Sequence, residues 1–158
     1  GGPQLPASIT VDSLGSWTDF VGDEYKAFSG TAVYTTTINK VPVADVIKLN
    51  LGTVAENASV YLNGEYIGTV IDSPYQLYIP AEKFKGQDEL VVRVANSMAN
   101  RIAYMDKKGV DWKIFYNVNM SARKKENVKN GIFDASDWEP KSSGLLGPVT
   151  LTPAMVKQ

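Results

Sequence analysis

The sequence predicts an all-β chain, an antiparallel sandwich or barrel. Short apolar runs alternate with polar residues at a period of two, turn residues recur roughly every 8–12 positions, and no window of about 11 residues carries helical periodicity. Ile9 and Val11 begin the first run. Ala32, Tyr34, Thr36 and Ile38 alternate with Thr31, Val33, Thr35 and Thr37, a β-branched and aromatic pattern suited to a half-buried strand. Ile47, Leu49 and Leu51 alternate with Lys48 and Asn50. In the stretch Ser59 to Gly68, Asn63-Gly64 separates two strand-like runs, which predicts a type I′ hairpin with strands near 58–62 and 65–71. Tyr75, Leu77 and Ile79 form one face of the next run, which Pro80 ends, and residues 81–86 allow one short helical turn. Lys85-Gly86-Gln87-Asp88 makes a turn, Leu90, Val92 and Val94 face the core, and Val149 and Leu151 close the pattern. Leu49, Leu62, Leu77, Val92 and Val94 are the expected core.

Between these runs, 97–146 shows little strand pattern. It reads as a long loop, and loops of that length in compact domains are commonly functional or docked. The expected organisation is an edge or linker over 1–7, a single sandwich domain over 8–153 and a tail over 154–158.

Composition narrows the chemistry. The 158 residues fit one domain, and 44% hydrophobic with 21% charged is ordinary for a globular chain. There is no cysteine and no histidine. Disulfides, thiolate metal sites, a cysteine nucleophile and a Ser-His-Asp triad are therefore excluded. Net charge is −1, which argues against a nucleic-acid partner, and no apolar run approaches the roughly 20 residues of a membrane-spanning helix. Charge is uneven: Arg101 to Lys129 holds eight basic and three acidic residues, as a solvated loop or as a face for an acidic neighbour.

Several ordered motifs then form a family pattern. Leu14-Gly15-Ser16-Trp17-Thr18 and Phe28 to Tyr34 are followed by Leu51-Gly52-Thr53-Val54 and by Ala58 to Gly64 with Ile67-Gly68. Pro74-Tyr75, the run from Glu89 to Asn96, Asn100-Arg101 and Gly144 to Val149 complete the set. In this order they resemble the sugar-binding domain of family 2-type glycoside hydrolases. The chain is similar above all to the C-terminal sandwich of family 106-like α-L-rhamnosidases. The resemblance implies a galactose-binding-domain-like jelly roll that accompanies a separate catalytic domain of a secreted or periplasmic enzyme and is not catalytic by itself. The segment Met105–Ser143 is expanded relative to that pattern.

For carbohydrate contact, exposed rings and polar side chains are needed. The long segment carries Tyr104, Trp112, Phe115, Tyr116 and Trp138 with Asn100, Arg101, Asp111, Asn117 and Asn119. Trp112, Tyr116 and Trp138 are the candidate stacking rings, and Arg101 and Asn117 the candidate hydroxyl partners. The same aromatics have a competing use as anchors of the loop. Strand faces are expected to be taken up by the core on one side and by Lys, Thr and Gln on the other. Arg101 is suited to pair with a carboxylate such as Asp106 or to hold loop carbonyls, and Asn96 and Asn100 to hold loop backbone. Asp134, Asp137 and Glu139 surround Trp138, but two carboxylates in one loop do not make a glycosidase. No cofactor is expected. The resemblance leaves room for a structural calcium, which needs six to eight oxygens; Asp19, Asp23 and Glu24 are clustered as candidates, without a recognised spacing. The rival to an accessory module that touches sugar is a structural or interaction sandwich without sugar affinity.

Overall fold

The computed structural model describes residues 5–113 and 124–154. The chain divides into two compact units, one formed by Ile9–Trp17, Gly30–Asn96 and Ser142–Gln158, the other by Gly1–Ser8, Thr18–Ser29 and Ser97–Lys141.

The first unit is an antiparallel β-sandwich. Strand β1 (Thr31–Ile38) pairs with β7 (Asp88–Ala95), β7 with β4 (Asn57–Leu62), and β4 with β5 (Glu65–Val70), which gives a four-stranded sheet in the order β1-β7-β4-β5. A three-stranded sheet places β2 (Val46–Asn50) between β6 (Gln76–Pro80) and β11 (Thr150–Ala154), and β3 (Thr53–Ala55) pairs with β10 (Gly144–Gly147). Alternation decides the packing. Leu49 and Ile79 point inward from the three-stranded sheet, Ala58, Val60, Leu62, Leu90, Val92 and Val94 from the four-stranded one, and all join one apolar cluster with Leu51, Val54 and Leu145. Of the five expected core residues, Leu49, Leu62, Val92 and Val94 are buried, and Leu77 is half-buried against the same cluster.

The Asn63-Gly64 hairpin forms as expected. Both residues take positive φ, 52° and 80°, as a type I′ turn requires. Gly52 serves a close approach: at φ 68° it bridges Gly147, and a Cβ there would sit 2.3 Å from the Gly147 carbonyl. Asn96 ties the sheet's end, accepting from Gly30 N–H at 2.9 Å and donating to Ser143 Oγ at 3.1 Å.

Three sequence expectations are corrected. Ile9 and Val11 form no strand and are exposed, since a three-residue alternation without a paired neighbour has no ladder to join. The outer face of the four-stranded sheet is not merely Lys, Thr and Gln: Tyr61, Tyr66 and Arg93 lie there together. The 97–146 segment is not a plain loop. In the second unit it carries helix α2 (Ala99–Lys107) and a small hairpin of β8 (Val128–Lys129) and β9 (Ile132–Phe133), while helix α1 (Asp23–Lys26) lies in the preceding segment. The α2 stripe was hidden by Asp106. Ala99, Ile102 and Ala103 keep helical spacing, but the next inward position holds a carboxylate where an apolar residue would complete the pattern. The β8–β9 turn is Asn130-Gly131, φ 52° and 77°, a second Asn-Gly signal of the same kind as the first.

Candidate functional site

Helix α2 organises the second unit from its inner face. The Asp106 side chain is fully buried and accepts from Trp112 Nε1 at 2.6 Å, Lys113 Nζ at 2.6 Å and the Ala135 N–H at 2.8 Å. These are charge-assisted bonds from three separate chain positions, so one carboxylate fixes the helix, its following segment and the β9 exit together. Arg101 therefore does not pair with Asp106. Five positions apart on a helix, the two side chains project in different directions, and Arg101 lies over the Tyr104 ring, 5.6 Å from its centroid. Lys108 approaches the same ring at 5.5 Å and forms an ion pair with Asp23 at 3.2 Å.

Around Phe133 a small apolar cluster forms with Ala135, Ile102, Trp112 and Trp138. Trp112 and Trp138 meet the Phe133 ring edge to face, at 6.5 and 5.8 Å between centroids. The Trp138 indole N–H donates to Asn127 Oδ1 at 2.9 Å. Both tryptophans are half-buried and serve as anchors in this unit. Asn100 holds backbone as its residue type suggested: its amide donates to the Lys141 carbonyl and accepts the Lys141 N–H, both at 2.8 Å.

Two of the three carboxylates around Trp138 are tied down. Lys129 bridges Asp134 at 3.3 Å and Asp137 at 3.2 Å. The Ser136 hydroxyl, donating to Asp134, is the main reason the Asp134 carboxyl is held below the usual carboxylate range. The Ser136 N–H and Lys129 add to it, against a partial burial that pulls the other way. An acid held ionised in this way is the opposite of the proton donor that glycoside hydrolysis requires.

Within the second unit a cavity of about 520 Å3 opens beside α2. Trp138, Tyr104, Asn100, Lys26, Lys107 and Glu139 are among its lining residues. Of the sequence-predicted site residues, Trp138 lines it, whereas Arg101 and Trp112 are not in its wall. Tyr116 and Asn117 lie outside the described residues. Tyr104, Lys26 and Lys107 were not singled out as a group, because only the fold of α2 and α1 brings them to one cavity. Among the described residues no group of three or more His, Cys, Asp or Glu side chains is placed to hold a metal ion.

No family model matches the chain. It is similar to a Formosa agariphila protein provisionally named a beta-glucuronidase, with 32% identity over 90% of this chain and 14% of that protein. It is also similar to the structure of a rhamnosidase from Novosphingobium sp. PP1Y, with a TM-score of 0.74 and 29% identity over 93% of this chain and 13% of that one. The chain thus spans about one seventh of the length of the relatives it matches. The fold and these matches define an all-β sandwich domain of the size of one part of a larger chain. More particularly, its fold is the antiparallel β-sandwich shared with the matched portion of the Novosphingobium rhamnosidase structure.

Proposed function

We propose that this chain is a non-catalytic accessory domain of a larger bacterial glycoside hydrolase, secreted or periplasmic, that supports the catalytic domain and touches carbohydrate. The observation that carries this reading is the disparity of coverage. Nearly the whole chain matches, and it matches only 13–14% of each relative, one provisionally named a beta-glucuronidase and the other a rhamnosidase. Sugar contact is supported by the second unit's cavity, where Trp138 and Tyr104 offer ring surface and Lys26, Lys107 and Glu139 offer hydrogen bonds.

A second reading, a purely structural or interaction domain, is favoured by one specific observation. Trp112 and Trp138 already pack against Phe133 in T-shaped contacts and spend both indole N–H groups within the unit. Titration of the chain with neutral and acidic mono- and oligosaccharides, followed by NMR, separates the two. Shifts of the Trp138 and Tyr104 resonances are expected under the first reading, with an affinity of about millimolar from so few desolvated contacts. Unmoved resonances here, together with no shift elsewhere, select the second. Turnover of aryl-rhamnosides or aryl-glucuronides by the chain, abolished by one Asp→Asn or Glu→Gln change, would overturn both.

A further inference from the structure

The outer face of the four-stranded sheet carries an arrangement that core packing does not require. Its members come from three adjacent strands, β7, β4 and β5. Arg93 on β7 is exposed and lies over the Tyr61 ring of β4, 4.8 Å from its centroid. Tyr61 meets Tyr66 of β5 edge to face at 5.5 Å, and Tyr66 is 56% exposed. The hydroxyl of Thr69 is shared, 2.7 Å from Ser59 Oγ and 2.9 Å from Tyr66 Oη. One row along, Val33 is 59% exposed opposite Arg93.

This face depends on a bulge. Ordinary alternation would put Tyr66 and Thr69, three positions apart, on opposite sides of the sheet. The β4–β5 register shifts between Val60 and Tyr61, so that Gly68 faces Val60 while Tyr66 faces Tyr61, and one extra β5 residue is absorbed. Ile67 turns toward the core and Tyr66 outward. Gly68, on the inward side, leaves space for Leu77, whose Cδ2 a Cβ there would meet at 2.9 Å. Bulges that re-aim a side chain are recurrent features of binding surfaces.

The chemistry selects the ligand. Arg93 makes no ion pair among the described residues, and its guanidinium carbon sits over the Tyr61 ring on the exposed face of the sheet, with five N–H donors to offer. The exposed acid on the same strand face, Glu89, lies four positions away, about 13 Å along an extended strand, and does not neutralise it. A planar fork of donors matches a carboxylate bidentately, and an exposed tyrosine ring matches the apolar face of a pyranose. We propose that this face is a binding platform for an acidic sugar, with its carboxylate on Arg93, its ring against Tyr66, and its hydroxyls meeting Ser59 and Thr69. It extends the reading of a carbohydrate-associated domain to a second site, on different residues from the α2 cavity.

The test is an NMR titration of the whole chain with glucuronic and galacturonic acids and their short oligomers, beside the matching neutral sugars. Shifts at Tyr61, Tyr66, Thr69 and the Arg93 side chain are expected with the acidic sugars, weakening as salt rises from about 50 to 500 mM. Arg93→Gln and Tyr66→Ala should each lower that affinity about tenfold, and Arg93→Lys should recover only part of it, because an ammonium lacks the fork. Both side chains are exposed, so amide dispersion and thermal midpoint should remain those of the parent; should Tyr66→Ala disturb the hairpin, Arg93→Gln with its partial rescue by Arg93→Lys carries the test. Equal response to neutral sugars, or no shift at these residues with any sugar, overturns the proposal. A shift with a Glu-rich peptide but not with uronic acids overturns it in favour of protein docking. Shifts at Trp138 report on the α2 cavity alone, so failure of either site is told apart from failure of the other.

Discussion

Asp88 shows how one side chain serves a turn. It is 1% exposed at the head of β7 and accepts from Asn63 Nδ2 at 2.7 Å, the Lys85 N–H at 2.8 Å and the Gly86 N–H at 3.1 Å. Burial alone would raise its proton affinity, but those three donors and the nearby Lys85 charge outweigh it, and the carboxyl is held below its ordinary range. The folded state thus binds this proton more weakly than the unfolded state does. The stability it contributes is complete above the unfolded value near 4 and is lost as pH falls through the lower folded value. Asp88→Ala is expected to cost about 1–3 kcal/mol at pH 7 by leaving buried donors unmet, and the gap from the parent should narrow below about pH 4. Denaturant unfolding at pH 7, 5 and 3 measures this. A gap that stays constant across the series would mean that the ionised form has no part in it. The turn Lys85 to Asp88 was legible from its residue types, whereas the convergence of Asn63 on Asp88 was not, because it joins two different turns across the sheet.

At the scale of elements, α2 depends on a carboxylate more than on its own sequence. Nine residues give about two and a half turns, too few to be stable alone, so tertiary contacts must hold it. Asp106 supplies them, and removing it strands three donors, one of them a half-buried lysine. Asp106→Ala should lower the local stability of the second unit by about 3–5 kcal/mol. In hydrogen exchange, protection should fall across Ala99–Lys107 and the β8–β9 hairpin while β4 and β7 keep theirs. Equal loss in both units would show that they unfold as one. This element was also the hardest to read in the sequence, for a related reason: periodicity arguments count apolar residues, and the position that matters most here is polar. The hairpins behaved oppositely. Asn63-Gly64 was legible because strong strand runs flank it, while Asn130-Gly131 carries the same dipeptide between strands of only two residues each, too short to show alternation.

For the whole molecule, the sandwich was legible because its strands β2, β4 and β7 bury one face each, and a period of two is then written directly into the residue types at Leu49, Leu62, Val92 and Val94. The candidate sites were less so. Trp138 stood out by type, but its cavity requires α1 and α2 to fold, and the Arg93–Tyr61–Tyr66 face requires a bulge that no local pattern announces. The sheet order has a further bearing on how the chain comes into being on the ribosome. The middle strand of the three-stranded sheet, β2, emerges early, yet its neighbour β11 is among the last described residues to be made, and so is β10, the partner of β3. Until residues 144–154 arrive, the nascent chain offers an open row of amides and carbonyls flanked by Ile47, Leu49 and Leu51, a template for pairing with another copy. A chain stopped after Ser143 should therefore form soluble aggregates that light scattering detects at micromolar concentration, and supplying a peptide of residues 144–154 in excess should suppress them. A truncated chain that stays monomeric without the peptide would show that β2 is protected by other means.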